Sequence, residues 1–295
     1  MVTVADVIDR INGQFSYTDT VLPLAAAISS TSATTCTVTD FVPAIGPGDV
    51  VRCEREYMLV TAVAGTGPKT LTIVRGWLGS TAATHVIGSG VFVPRVFDRD
   101  VMDLINECLD SLYPALYTRD VVTLSYNGNA IGYDLVAAVG HVLAVDAQED
   151  SSAKFWRELK DYRYIPNAST ADFPSGKALM IRQATVHAAS VRVIYAKPFI
   201  RVDAVADDLQ VDAGMYLYMT DLPYYYAMSR LLAGEEVDRA DSEGASQHQR
   251  AQDVQPFQAL RTGEWYLARY NDILRNCRDR LAREISSFAI GGYGS

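Results

Sequence analysis

The segment from Phe97 to Pro114, FDRDVMDLINECLDSLYP, constrains the fold more than any other stretch, because strand-like sequence lies on both sides of it. Asp98 or Asp100 can cap the first turn of a helix, and Pro114 cannot continue one. Apolar side chains recur every three or four positions, which predicts one stripe of an amphipathic helix; they are Val101, Leu104, Ile105, Cys108, Leu109, Leu112 and Tyr113. We therefore interpret this helix as the hinge between an N-terminal β module and the rest of the chain.

Composition limits the classes of protein that this chain can belong to. With 295 residues, 49% of them hydrophobic and 21% charged, the chain can form one large or two modest cores. No apolar run reaches the ~20 residues that span a bilayer, and the N-terminus lacks the basic start of a signal peptide. The net charge of −9 disfavours wrapping around nucleic acid, although DNA could pass nearby without binding. The four cysteines form no C-x-x-C pair, which predicts free buried thiols and a reducing compartment.

The first third of the chain predicts a helix followed by a β module. Residues 3–15 have helical spacing within an N-terminal segment 1–20, and residues 21–96 alternate with period two between glycine-rich turns. This pattern favours a small antiparallel barrel or sandwich. Gly65–Thr70 lacks the spacing of a phosphate-binding loop, and His85 has no second ligand at metal-binding spacing. We expect a turn-stabilising hydrogen bond from His85, and predict no catalytic, cofactor-binding or metal-binding residues.

The remainder, residues 97–295, is predicted to form a second domain. It contains the helix at 98–113, a β region at 121–201, helices at 222–285 and a flexible tail at 286–295. Asn127-Gly-Asn129 predicts a hairpin between the runs on either side of it. The polar stretch Glu235–Gln255 is consistent with an exposed helix or a mobile connector. The predicted fold class is α+β, with a barrel or sandwich, an amphipathic helix, a second β region and long C-terminal helices.

Several short motifs in the β module resemble a β module that recurs in virion proteins of tailed bacteriophages. The matching positions cover about fifty residues; they are Gly48-Asp49-Val50, Glu56-Tyr57-Met58, Arg75-Gly76, Gly79-Ser80, Ala82, His85 and Gly88. Tail and neck proteins both use this module. The resemblance therefore indicates a phage particle without fixing a position in it.

From Val96 onward the chain resembles the head–tail adaptor (connector) proteins of long-tailed phages. The order of the motifs carries this resemblance over about two hundred residues; they are the helix Asp98–Pro114, Trp156–Leu159, the strand with Val191, Val193, Tyr195 and Phe199, and the helix with Leu222, Tyr226, Ala227, Leu231 and Leu232. The small adaptors are mainly helical, so the N-terminal β module is an addition to their pattern.

The resemblance implies a non-enzymatic structural protein of the virion, made in the host cytoplasm and located in the neck. Such a protein forms a ring, commonly of twelve copies, beneath the portal protein and above a downstream neck or tail-completion protein. Genomic DNA would pass through the lumen without sequence-specific binding, and no membrane is involved. A surplus of acidic residues along a channel would repel phosphate and suit this passage.

Two groups of residues are predicted to bind partners. Tyr224, Tyr225 and Tyr226 are consecutive helical residues and cannot all face one core. Beyond the long helix, Ile285, Phe288, Ile290 and Tyr293 stand among Ser and Gly, where an extended segment could enter a groove on the portal. The resemblance to the adaptor family implies contact with the portal through C-terminal residues.

Two other functions are compatible with the sequence. The chain could be another phage structural component, from the tail or decorating the head. A virion-associated carbohydrate-cleaving enzyme is the third possibility, because sequence alone does not show whether folding brings two carboxylates together.

Overall fold

A computed structural model describes residues 3–15, 21–39, 45–94, 96–126, 132–148, 156–182, 190–209, 221–243 and 258–290, and for some residues at helix ends it describes the backbone alone. The chain divides into two compact units, Ala5–Asp103 and the remainder, which is Met1–Val4 with Leu104–Ser295. The division falls inside a helix, whereas the sequence analysis placed it before that helix. The predicted α+β class is confirmed.

The first unit is built around an antiparallel β barrel. Its six strands are β1 (Leu22–Pro23), β2 (Thr35–Val38), β3 (Val50–Cys53), β4 (Glu56–Ala64), β5 (Lys69–Val74) and β6 (Gly90–Phe92). They pair in the order β1-β6-β3-β4-β5-β2. An isolated bridge between Leu24 and Val38 joins the two ends of that order, so the sheet nearly closes on itself. Closure leaves few unpaired strand edges.

The barrel encloses a continuous apolar core, because inward-facing residues alternate with outward-facing ones along its strands. The cluster consists of Leu22, Leu24, Ile28, Cys36, Val38, Ile45, Val51, Cys53, Met58, Val60, Leu71, Ile73 and Val91. Helix α1 (Val4–Phe15) belongs almost entirely to this unit and buries Val7, Ile8 and Ile11. The residue range of α1 confirms the helix that the spacing of residues 3–15 predicts.

The second unit contains two antiparallel sheets that share one core. The first sheet has the order β10-β9-β13-β7, with β7 (Thr118–Ser125), β9 (His141–Gln148), β10 (Arg157–Glu158) and β13 (Ser190–Lys197). The second has the order β11-β12-β8, with β8 (Tyr133–Asp134), β11 (Tyr162–Ile165) and β12 (Ala178–Ile181). Residues from both sheets form the core; they are Leu135, Val139, Val145, Ala147, Leu159, Leu179, Val191, Val193 and Tyr195.

The hairpin predicted across Asn127-Gly-Asn129 is wrong. Strand β7 pairs with β13 over its full length, and β8 pairs with β12, so the two runs flanking this turn lie in different sheets. The turn residues themselves lie outside the described residues. Apolar residues alternate along both β13 and β7, so the two strands can pair with their apolar side chains on the same face of the sheet. This pairing between distant segments is more favourable than the hairpin that Asn127-Gly-Asn129 would form locally.

Two long helices end the described chain. Helix α3 (Asp221–Glu243) begins at the predicted cap, Asp221, and α4 (Gln258–Ile290) continues five residues past the predicted helix end at Ile285. The first part of the predicted flexible tail, 286–290, is therefore helical. Buried residues on the two helices include Leu222, Ala227, Ile273, Cys277 and Leu281. None of the described helices is long and apolar enough to cross a membrane.

Helix α2 (Asp98–Leu112) confirms the stripe that the sequence predicts, with two corrections. Val101, Ile105, Cys108, Leu109 and Leu112 are buried, but Leu104 is only half-buried, and Tyr113 follows the helix and is also half-buried. Leu104 lies at the margin of the stripe, about 100° around the helix axis from Ile105.

These burial differences predict graded effects of substitutions on α2. Leu109→Asp should lower the free energy of unfolding by several kcal/mol, because it buries a charge without a partner. Leu104→Asp should cost clearly less, and Asp103→Ala should change stability by less than about 0.5 kcal/mol, because Asp103 is exposed. Thermal melts of the three variants test this order. Equal losses in all three would show that the wrong face has been assigned.

Candidate functional site

Aromatic side chains from α3 and α4 form a cluster that contains the predicted tyrosines. Tyr224 and Tyr225 both contact Tyr266, with ring centroids 6.0 and 5.7 Å away. Tyr226 packs edge-on against Tyr270 at 5.4 Å. The consecutive tyrosines point in different directions, as expected for a helix, but partner rings on α4 lie in each direction.

The three tyrosines differ in how much surface they leave for a partner. Tyr224 and Tyr226 are buried, at 4% and 8% exposure, and Arg230 stacks over the Tyr226 ring and donates to its hydroxyl. Tyr225 is half-buried and contacts Trp265, which is 57% exposed. Partner binding at all three stays a prediction. Burial favours Tyr225, with Trp265 beside it, over the other two.

The second predicted group lies at the end of α4. Ile285, Phe288 and Ile290 belong to the helix by their backbone, and Tyr293 lies outside the described residues. The last residue of α4 with a described buried side chain is Leu281. Partner binding at these positions stays a prediction.

A buried carboxylate in the barrel, that of Glu56, contacts the two basic side chains of Arg75 and His85. Glu56, at the start of β4, is 1% exposed and accepts two hydrogen bonds from Arg75, from Nε at 2.5 Å and Nη2 at 2.6 Å. The backbone N–H groups of Gly76 and Ala83 donate to the same carboxylate at 3.2 and 3.0 Å. His85 completes the set, with Nε2 2.8 Å from Oε2. We call these residues the Glu56 cluster.

The partners of Glu56 are themselves held in place. Arg75 also donates to the carbonyl groups of Ser30 and Ala83. The Nδ1 atom of His85 lies 3.3 Å from Glu54, which occupies the two-residue turn between β3 and β4 with φ of 54°. A positive φ at this turn position usually favours glycine. Here it places the Glu54 carboxylate against the imidazole.

The hydrogen bonds decide the charge of Glu56. Burial alone would raise the pKa of its carboxyl group, but donors from Arg75, Ala83, His85 and Gly76 lower that pKa to about 2. The guanidinium of Arg75 is fixed as a cation by the same contact, which raises its pKa. The pair thus stays ionised across the physiological pH range.

This geometry suits a structural role better than a chemical one. Both oxygens of Glu56 already accept strong donors, so the carboxylate has little capacity left to act as a base or to bind a metal. No group of three or more His, Cys, Asp or Glu side chains arranged for a metal ion occurs among the described residues. His85 does form the expected turn-stabilising contacts, but through carboxylates that the sequence analysis did not connect with it.

A second buried ion pair lies in the same unit. Arg52 on β3 contacts Asp98 at 3.1 Å, and both side chains are nearly inaccessible. Tyr57 accepts a hydrogen bond from the Asp98 backbone N–H through its hydroxyl, and Asn12 of α1 donates to the Asp98 side chain. The predicted cap of α2 is therefore also the point where α1, the barrel and the start of α2 are joined.

The cysteines are free and buried, as predicted. Burial raises the pKa of Cys36 and Cys277 to about 11 and that of Cys53 and Cys108 to about 12. The thiols therefore stay protonated at neutral pH and are poor nucleophiles.

The sequence contained a signal for the Glu56 cluster that local analysis missed. Glu56 and Arg75 both lie next to runs of apolar strand residues, where an unpaired charge would be costly. An acidic and a basic residue that each lie beside an apolar strand indicate a buried ion pair if the two strands are neighbours in the sheet. Strands β4 and β5 do pair, with Leu59 opposite Val74. This pairing brings the start of β4, where Glu56 lies, close to the end of β5, which Arg75 follows.

Comparison with models of known protein families and with curated proteins finds no match to this chain.

The depressed pKa of Glu56 predicts an acid-dependent loss of stability in the first unit. A carboxyl group with a folded pKa near 2 and an ordinary value of 4.5 stabilises the fold above about pH 4.5, and this contribution disappears as pH falls toward 2. At pH 7, Glu56→Gln should lower the unfolding free energy by about 3 kcal/mol or more, because it leaves Arg75 buried without its anion.

The difference in unfolding free energy between wild type and Glu56→Gln should shrink as pH decreases from about 5 to 2. Urea titrations across this range measure it. Glu54→Gln is the matched control, because the Glu54 side chain is 58% exposed and its loss should have a much smaller effect. A wild-type–variant difference that is constant with pH would contradict the assignment of an ionised Glu56.

Proposed function

We propose that this chain is a non-enzymatic structural protein of a tailed-phage virion, acting as a head–tail adaptor. In this proposal, copies form a ring beneath the portal, contact a downstream neck protein and surround the path of the DNA. The observation that carries the proposal is the Glu56 cluster. Four residues that the sequence shares with the phage β module, Glu56, Arg75, Gly76 and His85, meet at one buried carboxylate, which supports a structural cause for their spacing.

The residues that resemble the adaptor family also have structural roles in the second unit. Val191, Val193, Tyr195 and Leu159 lie in the core shared by the two sheets. Asn106 of α2 donates to the carbonyl of Val202 and accepts from its N–H, at 2.9 and 2.8 Å, which ties the helix to the segment after β13. These contacts support a domain of the adaptor type, because these five family positions have a defined packing or hydrogen-bonding role.

The charge of the chain also supports the proposal. A net charge of −9 per copy gives a ring an acidic surface. Acidic groups around a channel repel phosphate and reduce binding to DNA. Such a ring lets the genome move through the neck without being retained.

Removing the gene from its phage tests the proposed position. Loss of a head–tail adaptor should give DNA-filled heads and separate, complete tails, because each part assembles independently until they are joined. Electron microscopy of lysates, with complementation by the wild-type chain as the control, provides the measurement. Heads with defective or missing tails would indicate a tail component instead, and intact infectious particles would indicate a decorating protein.

The C-terminal end of α4 is the proposed portal-docking element. Deletion of residues 286–295 should leave the melting temperature unchanged within error, because a segment with Phe288, Ile290 and Tyr293 among Ser, Ala and Gly cannot form a core of its own. The same deletion should abolish ring formation on purified portals, as seen by negative-stain electron microscopy. Trp265→Ser in the full-length chain is the matched control and should still assemble. If the truncated chain assembles and Trp265→Ser does not, docking lies at the Tyr225–Trp265 surface.

A further inference from the structure

We propose that helix α4 pairs with the α4 helix of a second copy of this chain, running antiparallel to it along a row of leucines. These leucines recur every seven residues and are Leu260, Leu267, Leu274 and Leu281; we call them the leucine row. The proposal concerns the free chain and does not depend on the proposed function. A two-fold contact of this kind closes after two copies, so it cannot by itself build a ring.

The leucine row lies beside the face of α4 that packs on its own unit. Tyr270 and Cys277 are buried on that face, and each follows a leucine of the row by three residues, about 60° around the helix axis. Leu260 and Leu267 are 38% and 44% exposed, and Leu274 is half-buried. Within the described part of the chain, α4 therefore has a second apolar face that remains accessible.

The spacing of the leucine row indicates that its occupant is a helix. A helix on a globular core repeats its apolar contacts every ~3.6 residues, whereas two helices that wrap around each other repeat them every ~3.5. Three successive intervals of seven residues match the second spacing, and the row is about 30 Å long. A seven-residue repeat drifts by about 20° per interval on a straight helix, so the row enters the core at Leu281, which is 4% exposed.

The polar residues beside the row indicate that this helix is α4 of a second copy. Glu264 and Arg278 are exposed and lie seven residues before and after Asn271, which is also exposed. When two α4 helices run antiparallel and cross at Asn271, each Glu264 lies opposite the Arg278 of the other copy. The same alignment places Leu267 opposite Leu274. A parallel pair would place like charges opposite one another, which is unfavourable.

The other charges near the row are compatible with this alignment. Arg275 lies 3.8 Å from Asp272 of its own helix, and the antiparallel alignment places it beside Ala268 of the other copy. Residues 260–283 contain six Arg and three Asp or Glu, although the whole chain has a net charge of −9. The acidic surplus that makes two copies repel one another therefore lies outside the proposed contact.

The composition of the contact predicts moderate affinity. Asn271 meets its own counterpart in the alignment, and a polar residue inside a helix pair lowers stability while fixing the register. The two ion pairs between Glu264 and Arg278 lie at the surface, where each contributes little. We therefore expect a dimer dissociation constant on the order of 10–100 μM.

Sedimentation velocity of the full chain tests the association. The weight-average sedimentation coefficient should rise from the monomer value toward the dimer value between about 1 μM and about 500 μM. The double variant Leu260→Gln, Leu267→Gln should lower the association constant about tenfold or more, because it removes apolar contacts and keeps residues that favour a helix. The double variant Val121→Gln, Val136→Gln is the matched control, since it changes two exposed valines of the same unit outside α4. It should associate like wild type.

Disulfide mapping tests the direction of the pair independently of affinity. Asn271→Cys should give a covalent dimer under mild oxidation, because this position faces itself across the two-fold axis. Glu264→Cys alone should not, because its two copies are about 20 Å apart in the antiparallel pair. Mixed with Arg278→Cys, however, Glu264→Cys should form a cross-linked dimer of the two variants. The native thiols are buried and should not interfere.

Three results would overturn the proposal. They are a sedimentation coefficient independent of concentration, a leucine double variant that associates like wild type, and cross-linking of Glu264→Cys to itself but not to Arg278→Cys. Thermal melts identify a competing occupant. If the chain stays monomeric and the leucine double variant melts well below the valine control, another segment of the same chain covers the leucine row, and the proposed pair does not form.

Discussion

The ion pair between Glu56 and Arg75 is the interaction on which the first unit depends. A buried ion pair contributes little net stability when compared with apolar residues, because both charges lose their hydration. Breaking one is nevertheless costly, since the remaining charge has no partner. Glu56 also accepts bonds from Gly76, Ala83 and His85, so the charge defines the path of the chain from Arg75 to His85. Its main effect is specificity of conformation rather than stability.

Much of the fold could be predicted from local sequence patterns. Helical spacing predicted α1, α2 and the start of α3, and alternation predicted the strands of the barrel, because both signals reflect the face that each element buries. Pairing could not be predicted in the same way. Strand β7 pairs with β13, about seventy residues later, where no local signal near Asn127 could report it. The end of α4 was also placed too early, because Ser and Gly near Ile285 suggested a tail.

The candidate sites were predictable to different degrees for a physical reason. The tyrosines at 224–226 were recognised from composition, but burial of Tyr224 and Tyr226 depends on rings that α4 supplies from about forty residues away. The Glu56 cluster combines residues from β4, the end of β5 and the following loop. Each of its members has an ordinary local context, so the cluster becomes visible only when the strands are paired. Sequence patterns indicate which face of a helix or strand is buried, whereas a site depends on which of these faces contact one another in the fold.

The anchored turns of the barrel explain how an unfavourable residue conformation persists. Leu78, in the turn after Gly76, has a φ of 53° and a ψ of 28°. Alone it would relax out of this left-handed region, since that conformation costs about 1–2 kcal/mol. Relaxation would displace Gly76 or Ser80, which bond to the buried Glu56 and to the Tyr57 backbone on either side of the turn. Losing hydrogen bonds to a buried charge costs more than the strain, at about 1.5–3 kcal/mol each. The charge inside the barrel therefore determines the path of the turn from Gly76 to Ser80, and a substitution at Arg75 would alter that turn without replacing any of its residues.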